Sequence, residues 1–171
     1  MIETERLLVR PHRAEDFEAC YAMWQDPAVV KYISGTPSTE AEAWARFLGY
    51  FGRWQVMGYG LFALFEKSSG QFIGEVGYSD FRRGLGSDFD PYHEAAWILA
   101  PAGHGKGYAW EAMNAAQKWL DEKFSPDKTV CIISPGNIPS IRLAEKLGFR
   151  STRKAEYQQN RVRLFERTRP E

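Results

Sequence analysis

The chain has 171 residues, 44% hydrophobic, 15% aromatic and 26% charged, with 22 basic and 22 acidic side chains that cancel to a formal net charge of zero. This is the composition of a folded protein with one substantial core, read as a single domain over 1–171; it argues against a disordered chain and a general nucleic-acid binder. The opening residues lack the apolar core of a signal peptide and no run approaches a membrane span, so the expectation is a cytoplasmic protein with no membrane partner.

Residues 4–10 alternate enough around Leu7, Leu8 and Val9 to predict a strand, stopped by Pro11. Over 14–24, Phe17, Cys20, Tyr21 and Trp24 recur at i, i+3, i+4 and i+7, one face of a helix with Glu15 and Asp16 in its first turn. A short helical turn is expected at 27–32. Thr39 and Glu42 form a capping box for the next helix, whose Trp44, Phe47, Leu48 and Phe51 are expected to face the core. Residues 61–66 and 71–78 read as a hairpin turned at Lys67-Ser68-Ser69-Gly70. A polar loop over 82–91 carries Gly84, Gly86, Asp88 and Asp90 and suits either a substrate-facing or a plain solvated surface.

Residues 93–100 form a strand that feeds Pro101 and then Gly103-His104-Gly105-Lys106-Gly107, after which a helix runs over 108–124 with Ala109, Ala112, Met113, Ala116, Leu120 and Phe124 on one stripe. Glycines at these positions let backbone approach a ligand, and the unpartnered N–H groups of the first helical turn suit a phosphate. A P-loop is excluded because no hydroxyl residue follows Lys106, and a dinucleotide fingerprint because Trp110 stands where a small residue is required. With a strand at 129–133 the segment is a βαβ unit, so the two strands are expected to be parallel. A short helix capped by Asn137 and stopped by Gly148 follows, then a closing hairpin of 149–157 and 161–167. Only Cys20 and Cys131 occur, each inside a predicted buried element, which reads as core packing; no metal site is expected.

Three stretches together resemble the GNAT superfamily of acetyl-CoA-dependent N-acetyltransferases, and within it the RimJ/RimL-like ribosomal-protein branch. They are Thr4-Glu5-Arg6-Leu7-Leu8-Val9-Arg10-Pro11 with Glu15-Asp16, the segment from Pro101 through Gly105-Lys106-Gly107-Tyr108-Ala109 to Glu111-Ala112, and Asn137 and Ser140 with Leu143-Ala144-Glu145-Lys146-Leu147-Gly148-Phe149. The resemblance implies an α+β (α/β/α) fold: a mixed, mostly antiparallel twisted sheet of about seven strands with a central splayed near-parallel pair, flanked by about four helices. It implies acetyl-CoA as cosubstrate, with the backbone of His104, Gly105, Gly107, Tyr108 and Ala109 on the pyrophosphate and Lys106 either assisting from the rim or pointing to water. An N–H near Ile98 or Leu99 would face the thioester oxygen. Two departures stand out: Ala102 replaces the Gln or Arg that many members carry, and no tyrosine precedes the Gly-Phe pair where many members have their acid.

The chemistry so implied is direct attack of a primary amine on a thioester. Glu94 is the first candidate for the base, with a solvent-facing strand carboxylate as the alternative, and Glu75 and His93 are second candidates. Ser140 is a candidate donor to the leaving sulfur or a pantetheine ligand through its hydroxyl, and Asn137 a pantetheine or water ligand as well as a helix cap. A thiol with a pKa of about 8.5 needs only modest help to leave. The expected acceptor is a protein or peptide N-terminal amine, with a polyamine, amino-sugar antibiotic or amino acid open; Asp88, Asp90, Glu75 and Glu94 together would favour a cation. A non-catalytic acyl-CoA sensor is the competing class. Both a monomer and a homodimer are compatible with the chain.

Overall fold

A computed structural model describes residues 1–169. Eight strands, β1 (Ile2–Glu3), β2 (Leu7–Arg10), β3 (Leu61–Glu66), β4 (Phe72–Ser79), β5 (His93–Leu99), β6 (Lys128–Ile133), β7 (Arg150–Tyr157) and β8 (Asn160–Thr168), form one sheet in the order β1-β2-β3-β4-β5-β6-β8-β7. Five α-helices cover it: α1 (Phe17–Gln25), the one-turn α2 (Pro27–Val30), α3 (Glu40–Met57), α4 (Tyr108–Phe124) and α5 (Ile138–Lys146). All neighbouring strands are antiparallel except β5 and β6, which run parallel across the α4 crossover. The mixed, mostly antiparallel architecture is the expected one.

Local chemistry sets the helix boundaries. Thr39 accepts the Glu42 N–H while the Glu42 carboxylate accepts that of Thr39, and Gly58, at φ 73°, closes α3 in the left-handed region. Helix α4 lays Ala112, Met113, Ala116 and Leu120 on Leu7, Val9, Phe62, Leu64 and Val76. On the other face α1 and α3 bring Cys20, Phe47 and Tyr50 onto Leu61. Neighbours Leu61 and Phe62 join opposite clusters because successive strand side chains alternate, so the sheet is covered on both sides. Both cysteines are free and buried, as expected for packing residues.

Two expectations are corrected. The sheet has eight strands because the chain turns back after Glu3 and pairs Ile2 with Val9 and Glu3 with Leu8; a two-residue strand carries no periodicity to read. On α3 the buried face is Ala43, Phe47 and Tyr50, whereas Trp44, Leu48 and Phe51 are 46%, 50% and 39% exposed. The helix is rotated by the demand of the polar Tyr50 hydroxyl, which donates to the fully buried Glu75 at 2.7 Å.

The feature that positions the site is the parting of β5 and β6. They pair only at His93 with Thr129 and Glu94 with Val130, while β4 pairs with β5 from Ser79 to Gly74 and β8 with β6 throughout. Beyond Glu94 and Val130 the inner edges face a gap. Gly74, at φ 154°, lets β4 lie close on β5 at this point, for a Cβ there would stand 2.4 Å from the Ile98 carbonyl oxygen. Leu120 is fully buried at the centre of the α4 packing, so Leu120→Ala is expected to lower stability by about 2–5 kcal/mol, read as a reduced midpoint at unchanged slope in urea denaturation.

Candidate active site

Strand β5 ends in a 3-10 turn, Pro101–Gly103, and the following loop enters α4 through Gly105 and Gly107, both left-handed at φ 72° and 77°. Among the described residues no protein group accepts the N–H of Gly105, Lys106 or Gly107, and the Tyr108 and Ala109 amides lie in the first turn of α4. The His104 amide differs from its expected role: it donates to the Pro101 carbonyl at 3.0 Å, and its ring Nε2 is 2.7 Å from the Leu99 carbonyl oxygen. His104 therefore braces the turn.

Side chains from the β1–β2 turn and from β3, distant in sequence, hold this loop. Arg6 donates to the Lys106 carbonyl at 3.0 Å and pairs with Glu111 at 2.6 Å, and Thr4 and the Arg6 amide also donate to Glu111. Tyr108 Oη donates to Glu66, which Lys106 Nζ approaches to 3.5 Å. The Tyr108 hydroxyl, then that of Ser69, holds the Glu66 carboxyl down to about 2. Lys106 thus leans on Glu66 at the rim.

The gap has directional edges. Ala100 N–H donates to the Ile73 carbonyl at 3.0 Å, and in an antiparallel ladder the direction alternates, so the Ile98 amide turns to Glu75 of β4 while those of Trp97 and Leu99 turn to the gap. Ile98 contributes its side chain to the cleft wall, and Leu99 its N–H to the gap. Across the gap, the Asn137 Oδ1 accepts the Ser140 amide at 3.3 Å as the α5 cap, and the Trp97 indole donates to Ser140 Oγ at 3.2 Å.

The gap opens into a cleft of about 800 Å³ between the sheet and α1–α3, lined among others by Trp24, Glu94, Trp97, Asn137, Ser140 and Tyr157. Glu94 is buried, and both of its oxygens accept from Arg83 Nε at 2.8 and 2.7 Å. Burial pushes its carboxyl above the usual range, against the guanidinium, which pulls the other way. The solvent-facing alternative for Glu94 is thereby corrected.

His93 points to the other face of β5, against Tyr59 and Phe124, and is not in the cleft. Glu75 is wholly buried behind the cleft, accepting from Tyr50 and Trp24 and contacting His12 Nε2 at 3.2 Å. The acidic group expected to favour a cation does not assemble. Asp88 pairs with Arg153 and Asp90 accepts the Leu85 and Gly86 amides, which leaves Glu94, among the described residues, as the only carboxylate in the cleft lining.

Sequence reasoning missed Arg83, Tyr157 and Tyr32. Arg83 comes from the polar loop suspected of meeting substrate and stacks on Tyr157, 4.9 Å from its centroid. Tyr32 packs its ring against Gly136, so with Tyr50 the described lining of the cleft holds three tyrosines although the expected position has none.

The model of the acetyltransferase (GNAT) domain family matches residues 6–150, which spans β2 to the start of β7 and includes every element of this site except the final hairpin. The chain belongs to the GNAT acetyltransferase family. It is an acetyl-CoA-dependent acyltransferase of N-acetyltransferase type. A GNAT-family acetyltransferase structure described as putative, from Bordetella pertussis, is 34% identical with a TM-score of 0.88, covering 98% of each chain. An uncharacterized N-acetyltransferase, YnaD of Bacillus subtilis (strain 168), is 27% identical over 150 residues, 87% of this chain and 82% of the relative. The spermidine N-acetyltransferase of Vibrio cholerae, solved with CoA and spermine, shares the fold at 16% identity, TM-score 0.76 and 96% coverage of both chains.

A side chain at the GNAT loop's Gly107 would be strained by the positive φ and would fill the approach to the free amides. Gly107→Trp is expected to abolish acetyl-CoA binding, measured by titration calorimetry, with the fold retained by circular dichroism.

Proposed function

We infer that this GNAT protein transfers the acetyl group of acetyl-CoA by direct attack of a primary amine, either a protein or peptide N-terminus, as in the RimJ/RimL-like branch, or a small molecule. The observation that carries the reading is continuity: free main-chain donors at 105–109 lead into the open edges of β5 and β6, and these into the cleft that contains Glu94. In this reading the diphosphate rests on the amides of Gly105, Lys106, Gly107, Tyr108 and Ala109. The amide-bearing arm then pairs along β5 like an added strand. The Leu99 N–H faces the thioester carbonyl and stabilises the charge that develops as the amine attacks. The Vibrio cholerae structure, with CoA on the same fold, supports the donor half.

The acceptor enters between α1, α3 and the β7–β8 turn. Glu94 takes its proton on the lone pairs that Arg83 leaves free, directly or through a water. Ser140 already accepts the Trp97 indole N–H, so its own hydroxyl proton is available to the leaving sulfur. Asn137 sets the first turn of α5 and with it the Ser140 position.

Release of free CoA thiol on addition of N-terminal peptides, polyamines, aminoglycosides and amino acids tests the reading; binding of acetyl-CoA without release from any of them would favour a sensor. The Glu94 carboxylate is the active form, and its pKa is raised, so kcat/KM is expected to climb with pH through a value above the ordinary carboxylate range. Glu94→Gln is expected to lose about 10²-fold or more in kcat on the plateau and to lose this acidic limb. An unaltered limb would remove Glu94 as the base.

A further inference from the structure

The cleft has a charge pattern that binding of the donor does not account for. Among the described residues its lining holds five cationic side chains, Lys31, Arg46, Arg53, Arg83 and Arg161, and one carboxylate, Glu94. Arg83 and Glu94 neutralise one another at 2.7 Å. Among the described residues, Lys31, Arg46, Arg53 and Arg161 have no carboxylate within 4.0 Å. The loop over 101–109 is not part of this lining, so these cations do not stand at the free amides read as the diphosphate seat.

Two of the four are held in place without using up their donors. Arg46 and Arg53 are seven residues apart on α3 and share one face with Gly49 between them. Arg46 lies over the Trp24 ring, 3.8 Å from its centroid, and gives one N–H to Ser38 Oγ at 3.1 Å. Arg53 lies over Phe81 at 5.4 Å, and its Nη1 rests 2.7 Å from where a Cβ on residue 49 would stand, so the glycine makes room for a guanidinium lying along the helix. Stacking fixes a guanidinium plane while its N–H edge stays free for a bidentate oxyanion. From the opposite wall the β7–β8 turn adds Gln158, Asn160 and Arg161.

A cleft with this lining repels polycations and concentrates anions. The same field disfavours the ammonium form of an incoming amine, and so favours the free base that attacks. We propose that the acceptor is a primary amine that also bears a carboxylate or a phosphate, held by Arg46, Arg53 and Arg161 while the amine reaches the gap beside Glu94. The proposal rests on the acetyl-transfer reading of this cleft.

The test compares matched acceptors by thiol release, corrected for the fraction of free amine: an amino acid and its carboxamide, an amino-sugar phosphate and its parent sugar, an acidic N-terminal peptide and its neutral amide form, with spermine as the cationic reference. The anionic member of at least one pair is expected to be at least tenfold better in kcat/KM, and which pair responds identifies the source of the anion. The preference should shrink with added salt and in Arg53→Gln and Arg161→Gln, through acceptor KM. Equal or better turnover of the neutral members or of spermine overturns the proposal, as does a rise in the KM for acetyl-CoA in place of that for the acceptor. If no acceptor releases thiol, calorimetry on the CoA-loaded protein separates the two ideas. Binding of an anionic amine but not its neutral partner then keeps the anion site and overturns acetyl transfer; binding of neither overturns the anion site.

Discussion

The molecule turns on the parting of two parallel strands. After His93 with Thr129 and Glu94 with Val130, β5 and β6 share no further register, yet each remains fully paired on its outer side, to β4 and β8. Unpaired backbone inside a sheet carries a desolvation cost unless something meets it. Here the open amides of Trp97 and Leu99 face the gap, which in the proposed reading is a corridor from the Gly105 loop to the acceptor cleft. The mouth of that corridor is held by one side-chain contact, the Trp97 indole on Ser140, which ties β5 to α5 across the gap. The parting is thus the defect in the sheet and, in the proposed reading, its working surface.

The two ends of the corridor use different electrostatics. At the donor end the ligand-facing groups are neutral main-chain N–H donors, and the nearby charges are matched in pairs at the loop, Arg6 with Glu111 and Lys106 with Glu66. At the acceptor end the cations other than Arg83, which pairs with Glu94, have no carboxylate within 4.0 Å among the described residues. Matched pairs at the surface contribute little to stability, so the role of those at the loop is to hold its shape. In the proposed reading the acceptor-end cations are the ones that meet a ligand.

Behind the cleft, Glu75 joins the helical cover to the sheet. It is wholly buried on β4 and receives Tyr50 from α3, Trp24 from α1 and His12 from the segment after β2. A buried carboxylate with these partners fixes the positions of Trp24 and Tyr50, and both rings line the cleft. Removal of any one donor would leave buried polarity unmatched, which is why the helices cannot drift relative to β4 without loss of stability. The stacked Arg46 rides on this arrangement through Trp24.

Features that depend on near neighbours were legible in the chain: the Thr39 and Glu42 capping box, the Asn137 cap, the glycine loop opening into α4, and the alternation and helical periodicities that define most of the sheet and its cover. Local chemistry determines these because capping, left-handed glycines and amphipathic spacing involve residues within a turn or two of one another. The resemblance to a family came from three such local stretches in the right order. What tertiary structure alone decided was which of two neighbouring amides, Ile98 or Leu99, faces the gap, because register is a property of the β4–β5 pair; which face of α3 is buried, because Glu75 claims Tyr50; and that Glu94 meets Arg83. It also decided the sign of the acceptor cleft. Asp88 and Asp90 were absorbed by Arg153 and by local amides, while cations from four separate segments converged, and no spacing within a chain of zero net charge encodes a convergence made by long-range packing.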